Sequence, residues 1–483
     1  MEKKIFLWLH MHQPDYLESL TGKIVLPWVR RHLLNGYYSI PALLLKSNFK
    51  ANINFSGILL EQIKRYQNGE KDVFASYENA EPDTLGPSDI AFMVDRFNVP
   101  SSFKSERFSS IKEKFKKEGK LTPQEVLDLQ IIFKLSSFAP LHEEVIELKK
   151  KGRNFSKEEK NTLINLENHI IGHIFTLYKI LVERGQVEIT VTPHHHPILP
   201  ILVDINVAKE SKSDAIIPDL STRFIEDIDE QVNRAITLCK EIFNTNINGM
   251  WPAEGGISYE TIDLLKSYAI QWIGSDELIV RPFGLNQGVY EYNGMRLFLR
   301  NHVISDKIGF AYNKMDRKVA VEDLMENLQN SGLLILILDG ENPWEYYEDY
   351  GIGFLQEFFN RFDEKHTALG SEIQEAKRIE KIRPGSWING YFDTWIGCEE
   401  TNKAWSYLIE ARRTLHTEEA FEELLKAEAS DYFWWYSDLH KREINFDFDF
   451  LFRGRLIKAY KKEGHVVPDY LFYPIKTYPI GGN

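Results

Sequence analysis

Short apolar runs of strand length recur along the chain, each breaking off on a polar or aromatic residue and followed by a stretch with helical spacing. The clearest are IFLWL from Ile5, ANINF from Ala51, VEITV from Val187, INGMW from Ile247, IQWIG from Ile270, RLFLR from Arg296 and LLILIL from Leu333. Between them lie amphipathic segments such as DIDEQVNRAITLCKEIF and SYETIDLLKSYA, the second with Ser258 and Thr261 placed as caps. Strands alternating with helices predict a parallel sheet, because a parallel crossover needs a helix-length connection. Seven such units predict an α/β fold built as a closed or nearly closed seven-stranded (β/α) barrel.

Two regions break the rhythm. From about Ser101 to Leu181 the chain is rich in Lys and Glu and keeps helical periodicity without a strand, which predicts a helical insertion. After about Lys381 it is again mostly helical and ends in a tail containing Pro and Tyr. The predicted organisation is a barrel over 1–380 carrying the insertion at about 101–181, followed by a helical domain over 381–483. No internal repeat or low-complexity linker separates these parts.

Composition narrows the partners. A formal charge of −13 and a pI near 5.6 disfavour nucleic acid or an anionic membrane surface, since both would repel the chain. Cys239 and Cys398 lack the spacing of a zinc ribbon or redox pair and suit a reducing interior. The apolar run Ile5–Leu9 is too short for a signal peptide and is interrupted by His10. No segment approaches the ~18 consecutive apolar residues of a membrane helix, so a soluble, cytoplasmic protein is expected.

Chemistry gathers where the runs end. In a parallel barrel the carboxyl ends of the strands form the reactive rim, and LLILIL ends on Asp339, INGMW leads to Glu254, IFLWL leads to His10 and His12, and RLFLR leads to His302 and Asp306. VEITV carries Glu188 and leads into PHHHP, while IQWIG leads to Asp276 and Glu277. Trp251, Trp344 and Trp395 add flat apolar faces. Two carboxyls among tryptophans suit glycoside hydrolysis: one protonates the leaving oxygen, the other attacks the anomeric carbon or activates water, and the rings stack on sugars.

The stretches HMHQPDY, GQVEIT with TPHHHPILP, GMWPAEGG, WIGSDE, RNHVISDKIGF and LDGENPWEYY, continued by YFWWYSDLH, resemble in order the conserved regions of glycoside hydrolase family 57, most closely its α-amylases and amylopullulanases. The resemblance implies a seven-stranded (β/α) barrel with a following helical domain and a retaining enzyme acting on an α-glucan oligosaccharide or polysaccharide. It implies Glu254 as nucleophile, Asp339 as acid/base, and His12, Glu188 and His196 lining the sugar site. His10, Trp251, His302, Trp344 and Trp395 complete the expected substrate contacts; neither a metal nor a cofactor is expected. The run DGENPWEYY differs from the DGEKFG-type run of the glucanotransferases and from the longer aromatic run of the branching enzymes, which favours hydrolysis over transfer.

Each residue also has a structural reading. An acid after a strand caps the next helix, as Asp276 and Glu341 could; His194 and His195, adjacent in sequence, point in different directions and suit packing; Trp434 and Trp435 suit either the cleft edge or domain packing. Three functions are therefore distinguished: an α-glucan hydrolase, with a 4-α-glucanotransferase or branching-type transglycosylase on the same site; a zinc-dependent polysaccharide deacetylase using His10, His12 and the triple histidine; and a silent glucan-binding protein. For the first, burial and neighbouring charge are expected to raise the pKa of Asp339, while hydrogen bonds from groups such as His12 hold that of Glu254 low.

Overall fold

The computed structural model describes residues 3–440 and 445–476; the end of the tail, 477–483, lies outside the described residues. Its strands are β1 (Lys4–Met11), β2 (Ala51–Ser56), β3 (Val187–Thr192), β4 (Gly249–Met250), β5 (Trp272–Asp276), β6 (Gly288–Tyr292), β7 (Met295–Arg300), β8 (Leu333–Asp339) and β9 (Lys377–Arg378). They form one sheet in the order β8-β1-β2-β3-β4-β5-β7-β6-β9. From β8 to β7 every neighbouring pair is parallel, and these are the seven expected strands. β6 was not expected. It pairs antiparallel with β7, and β9 extends the edge.

The ladder does not close between β7 and β8. That seam is bridged instead by the Asn301 N–H to the Ile335 carbonyl at 2.8 Å and by the Gln287 side chain, which donates to the Leu333 carbonyl at 2.6 Å and accepts from the Ile335 N–H at 3.0 Å. One side-chain amide thus satisfies edge groups that a strand would otherwise pair.

Alternation along the strands sorts the core into two. Leu7, Leu9, Ile53, Ile189 and Leu336 face outward into the layer shared with the helices. Phe6, Trp8, Trp251, Trp272, Phe298, Ile335 and Ile337 fill the barrel interior. Packing there leaves no room at Gly274, where a Cβ would lie 2.3 Å from the Trp8 ring. The inward positions of β2 and β3 are polar instead: Asn52, Asn54, Glu188, Thr190 and Thr192 are buried and satisfied in part by each other and by the Trp8 indole, which donates to Thr190 Oγ1 at 2.8 Å.

The stretch from Ser101 to Leu181 forms helices Glu106–Glu118, Pro123–Leu135, Glu143–Lys151 and Lys157–Glu183. Capping boxes at Thr122 and Ser156 start two of them. They are fastened to the barrel-side helix Trp28–Leu33 through a buried ion cluster in which Arg30 meets Asp72 at 2.6 Å, Glu78 at 2.5 Å and Glu167 at 3.0 Å, with Lys134 beside the two glutamates. After the barrel come helices Glu399–Thr414, Glu418–Ala427, Ser430–Tyr436 and Asn445–Glu463. Among the described residues no helix is long and apolar enough to cross a membrane.

Removing one member of a buried ion cluster strands the others without compensation. Arg30→Ala leaves three buried carboxylates facing one lysine and is expected to cost about 3–5 kcal/mol in denaturant unfolding; a loss under about 1 kcal/mol would show that the cluster does not hold the insertion.

Candidate active site

Register brings the first groups together. His10 stands beside Asp339 on β8 and beside Asn54 on β2, and Asn54 stands beside Thr190 on β3. His12 follows one turn of alternation later, above His10. β4 ends at Met250, and the chain then turns through Trp251–Pro252–Ala253 into Glu254 with φ +58° and ψ +21°. A left-handed backbone at a residue with a Cβ costs about 1–2 kcal/mol and persists only where surrounding contacts impose it. Here Trp387 imposes it: its backbone N–H donates to the Glu254 carbonyl at 3.0 Å and its indole N–H to Glu254 Oε2 at 2.8 Å. His196, at φ +62°, is the second strained residue of the site.

These groups open on a cavity of about 560 Å3 lined by His10, His12, His196, Glu254, Asp339 and Asp431, within the size range of pockets that bury a small-molecule ligand. Arg300, Glu341, Trp387, Trp434, Trp435 and Tyr346 also face it. Asp431, on the helix Ser430–Tyr436, accepts from His12 Nε2 at 3.1 Å, and His12 Nδ1 meets Ser56 Oγ at 2.8 Å. Ser430, its neighbour, lies 2.7 Å from His196 Nδ1 and 3.2 Å from Glu254 Oε1. The C-terminal helices therefore supply part of the site. Asp276 holds Arg300 at 2.5 Å, and the guanidinium lies 5.0 Å from the Trp387 ring centroid.

Burial dominates the electrostatics. Glu254 is pushed up to about 8 by desolvation and by the charges of Asp431 and Asp339, against the hydrogen bonds of Trp387 and Ser430. Asp339 is also raised by burial, opposed by the Asn342 amide at 2.9 Å and by the charges of Arg300 and His12. The expectation that His12 holds Glu254 low is not met, since the hydrogen bonds of His12 go to Ser56 and Asp431. Glu341 is raised well above its usual range by burial and by Asp339. His10 falls to about 3 and His196 well below its ordinary value, both chiefly through desolvation, so both rings are neutral at pH 7.

Of the residues expected at the site, His10, His12, His196, Glu254 and Asp339 meet around one cavity. Others lie elsewhere. Glu188 sits level with Trp8 and Asn52, one interior layer below His10; its Oε2 accepts from the Ser371 N–H at 2.8 Å, in the segment that covers the amino-terminal end of the barrel. Trp251 is 1% exposed inside the barrel, Trp344 is 1% exposed with its indole N–H on the Gly340 carbonyl, and Trp395 is fully buried. His302 stands behind Arg300, 2.9 Å from Asp276, which raises its pKa. The aromatic residues that reach the cavity include Trp387, Trp434, Trp435 and Tyr346. Trp387 and Arg300 were not foreseen; Trp387 lies in GSWING, which has neither strand pattern nor acid to mark it. Asp431 stands immediately before the motif YFWWYSDLH, which drew attention to the tryptophans and not to the acid.

Among the described residues two groups bring ligand atoms within 4.8 Å of one another, Cys398 with Glu400 and Asp438 away from the cavity, and His12 with His196 and Asp431 inside it. Both nitrogens of His196 are already engaged, one with Ser430 and the other with His10 Nε2 at 3.0 Å. The His12 and His196 rings stack at 3.8 Å between centroids, an arrangement suited to packing and not to converging lone pairs.

The model of Glycosyl hydrolase family 57 matches residues 6–387, from the first turn of β1 to the tryptophan that holds Glu254. The chain belongs to this family. No curated protein sequence matches the chain. Among solved structures it resembles a family 57 branching enzyme of Pyrococcus horikoshii, with a TM-score of 0.60 and 15% identity over 98% of this chain and 94% of that one. An α-amylase of Thermotoga maritima gives 0.59 and 15% over 98% and 96%. A 4-α-glucanotransferase of Thermococcus litoralis gives 0.54 and 16% over 96% and 60%. At such identities the likeness establishes the fold, and the three named activities differ from one another on it.

Two outcomes follow for this family 57 site. Between the ordinary carboxyl value and about 8, folded Glu254 keeps a proton that the unfolded chain has released, so stability falls as pH rises through that window. Glu254→Gln should therefore gain stability over wild type as pH rises from about 5 to 8, reaching about 2–4 kcal/mol in denaturant melts; a constant difference would place the ionisation elsewhere. Trp344→Ala should cost about 3–5 kcal/mol of folding stability, and an unchanged unfolding midpoint would show that Trp344 is not packed as described.

Proposed function

We propose that the protein is a retaining α-glucan hydrolase in which Glu254 is the nucleophile and Asp339 the acid/base. The observation that supports this most directly is the pairing of two partly buried carboxyls, delivered by separate strand ends to one aromatic-edged cavity, with Glu254 held in a strained backbone by both ends of Trp387.

The steps follow from the two acids. The Glu254 carboxylate attacks the anomeric carbon while the Asp339 carboxyl gives its proton to the departing glycosidic oxygen; the C–O bond breaks and a glycosyl ester of Glu254 forms. Asp339, now a carboxylate, takes a proton from incoming water, whose oxygen bonds to the anomeric carbon as the ester bond breaks. Both acids have raised pKa values, chiefly through desolvation, and the charge of Asp339 adds to the rise at Glu254. Positive charge developing at the anomeric carbon favours the anion at Glu254 and leaves the proton with Asp339. Arg300, whose charge lowers the pKa of Asp339, limits that rise. The neutral His10 and His196, bonded to Asn54, to Ser430 and to each other, line the cavity without adding charge.

Hydrolysis is preferred to transfer on the strength of the run DGENPWEYY. Water and a sugar hydroxyl attack the same intermediate, so the alternative is a partition of one mechanism. Product analysis on maltooligosaccharides, amylose and pullulan separates them: glucose and short oligomers indicate hydrolysis, products longer than the substrate indicate transfer. Glu254→Ala should abolish turnover and regain it with azide, giving an inverted product. Asp339→Ala should lose about 10²–10⁴-fold on glucans yet keep activity on an aryl glycoside with a good leaving group, azide then giving a retained product. The reverse pattern would exchange the two roles.

A further inference from the structure

Glu254 terminates a continuous run of side chains through the barrel top. Asn54 Oδ1 lies 2.6 Å from His10 Nδ1, His10 Nε2 lies 3.0 Å from His196 Nε2, His196 Nδ1 lies 2.7 Å from Ser430 Oγ, and Ser430 Oγ lies 3.2 Å from Glu254 Oε1. Every link joins groups that each have one proton to offer or one lone pair to receive it, so the direction of one link fixes the next. We propose that Asn54 is a positioning residue for the nucleophile: the orientation of its amide sets the tautomers of His10 and His196, and through Ser430 sets whether Glu254 is held as the acid or as the carboxylate. This deepens the reading of Glu254 as nucleophile and rests on it for its effect on catalysis.

Two directions are self-consistent. With the Asn54 carbonyl towards His10, His10 donates from Nδ1 and accepts at Nε2, His196 donates from Nε2 and accepts at Nδ1, and Ser430 spends its single proton on His196. The contact between Ser430 and Glu254 is then a hydrogen bond only if Glu254 is the donor, that is, a neutral carboxylic acid. With the amide NH2 towards His10, each link reverses and Ser430 donates to the Glu254 carboxylate. The surroundings of Asn54 accept either face. Thr190 Oγ1, 3.1 Å away, can accept or donate. Thr192 Oγ1 lies 2.8 Å from both Asn54 Oδ1 and the Trp251 carbonyl and can give its proton to either. Ser430, His196 and His10 carry one proton apiece in both directions, so the two differ by one proton, on Glu254, exchanged through the cavity. The depressed basicity of both histidines keeps them neutral in this exchange. The other groups facing Glu254 are Asp431 from the helix Ser430–Tyr436, Asp339 from β8, and the Trp387 indole, with Arg300 beyond that ring. The two acids act on Glu254 by charge alone. The chain is a separate input.

The test uses the full chain labelled with 15N histidine. In wild type the His10 and His196 tautomers are expected to change together over the pH range in which Glu254 ionises, and in Glu254→Gln to be independent of pH. Asn54→Asp presents only an acceptor, so it should fix His10 as the Nδ1–H tautomer and move the acid limb of kcat/KM on maltooligosaccharides up by about one pH unit. In a Ser430→Ala background the link is cut, and the same substitution should move the limb by less than half as much, the remainder being charge. Equal shifts with and without Ser430, or wild-type tautomers that ignore the ionisation of Glu254, would overturn the proposal. The tautomer measurement needs no turnover, so it decides the chain even if Asn54→Asp fails to fold; failure of the wild-type protein to cleave any glucan would count instead against the glycosidase reading.

Discussion

The site depends on keeping carboxyls in a barrel top that removes much of their hydration. Glu254, Asp339, Glu341, Asp431 and several imidazoles occupy a region where charge is expensive, and the structure answers by leaving His10 and His196 neutral, letting Glu254 and Asp339 hold protons readily, and tying the remaining charge to short contacts such as Arg300 with Asp276. Neighbouring features follow from this. Trp387 holds Glu254 by two hydrogen bonds, Ser430 joins it to His196, and the strained backbone at Glu254 is sustained by those contacts.

The same constraint explains the division of the barrel interior. Lower layers are filled by Phe6, Trp8, Trp272 and Phe298, which need few partners and exclude water from beneath the acids. The upper inward positions of β2 and β3 carry Asn and Thr, small groups that both donate and accept. A tryptophan there would end the hydrogen-bond chain; a carboxylate would add charge. Glu188, lower in the barrel, is raised by burial and steadied by the Ser371 N–H, so it belongs to the floor of the barrel and not to its mouth.

Ownership of the cavity is shared along the chain. Strand ends supply His10, Asp339 and Arg300, the turn after β4 supplies Glu254, and the helix Ser430–Tyr436 supplies Ser430 and Asp431. On the proposed reading a glucan would be held between the barrel rim and the aromatic edge made by Trp434 and Trp435, and the helices that follow the barrel line the cavity as well as packing on it. The family's range of activities on one fold agrees with such an arrangement, because hydrolysis and transfer differ in what reaches a shared intermediate and not in the acids that form it.

Much was legible in the sequence. Short apolar runs breaking off on polar residues marked all seven parallel strands, since a parallel strand is covered on both faces. Acids and histidines at the ends of those runs marked His10, His12, Glu254 and Asp339. β6 was missed because GVYEY is half-buried on a hairpin and lacks a sustained apolar run. Tryptophans misled for a related reason: a large ring next to a catalytic motif reads alike whether it faces sugar or core, and Trp251, Trp344 and Trp395 are core. The sequence by itself determined the strands and the reactive groups at their ends, because those depend on local patterning. Only the tertiary structure decided that Glu188 lies a layer too low, that Trp387, Arg300 and Asp431 close the site, and that Glu254 is the acid pushed up to about 8. Those outcomes depend on register, burial and contacts between residues far apart in the chain, which no local pattern encodes.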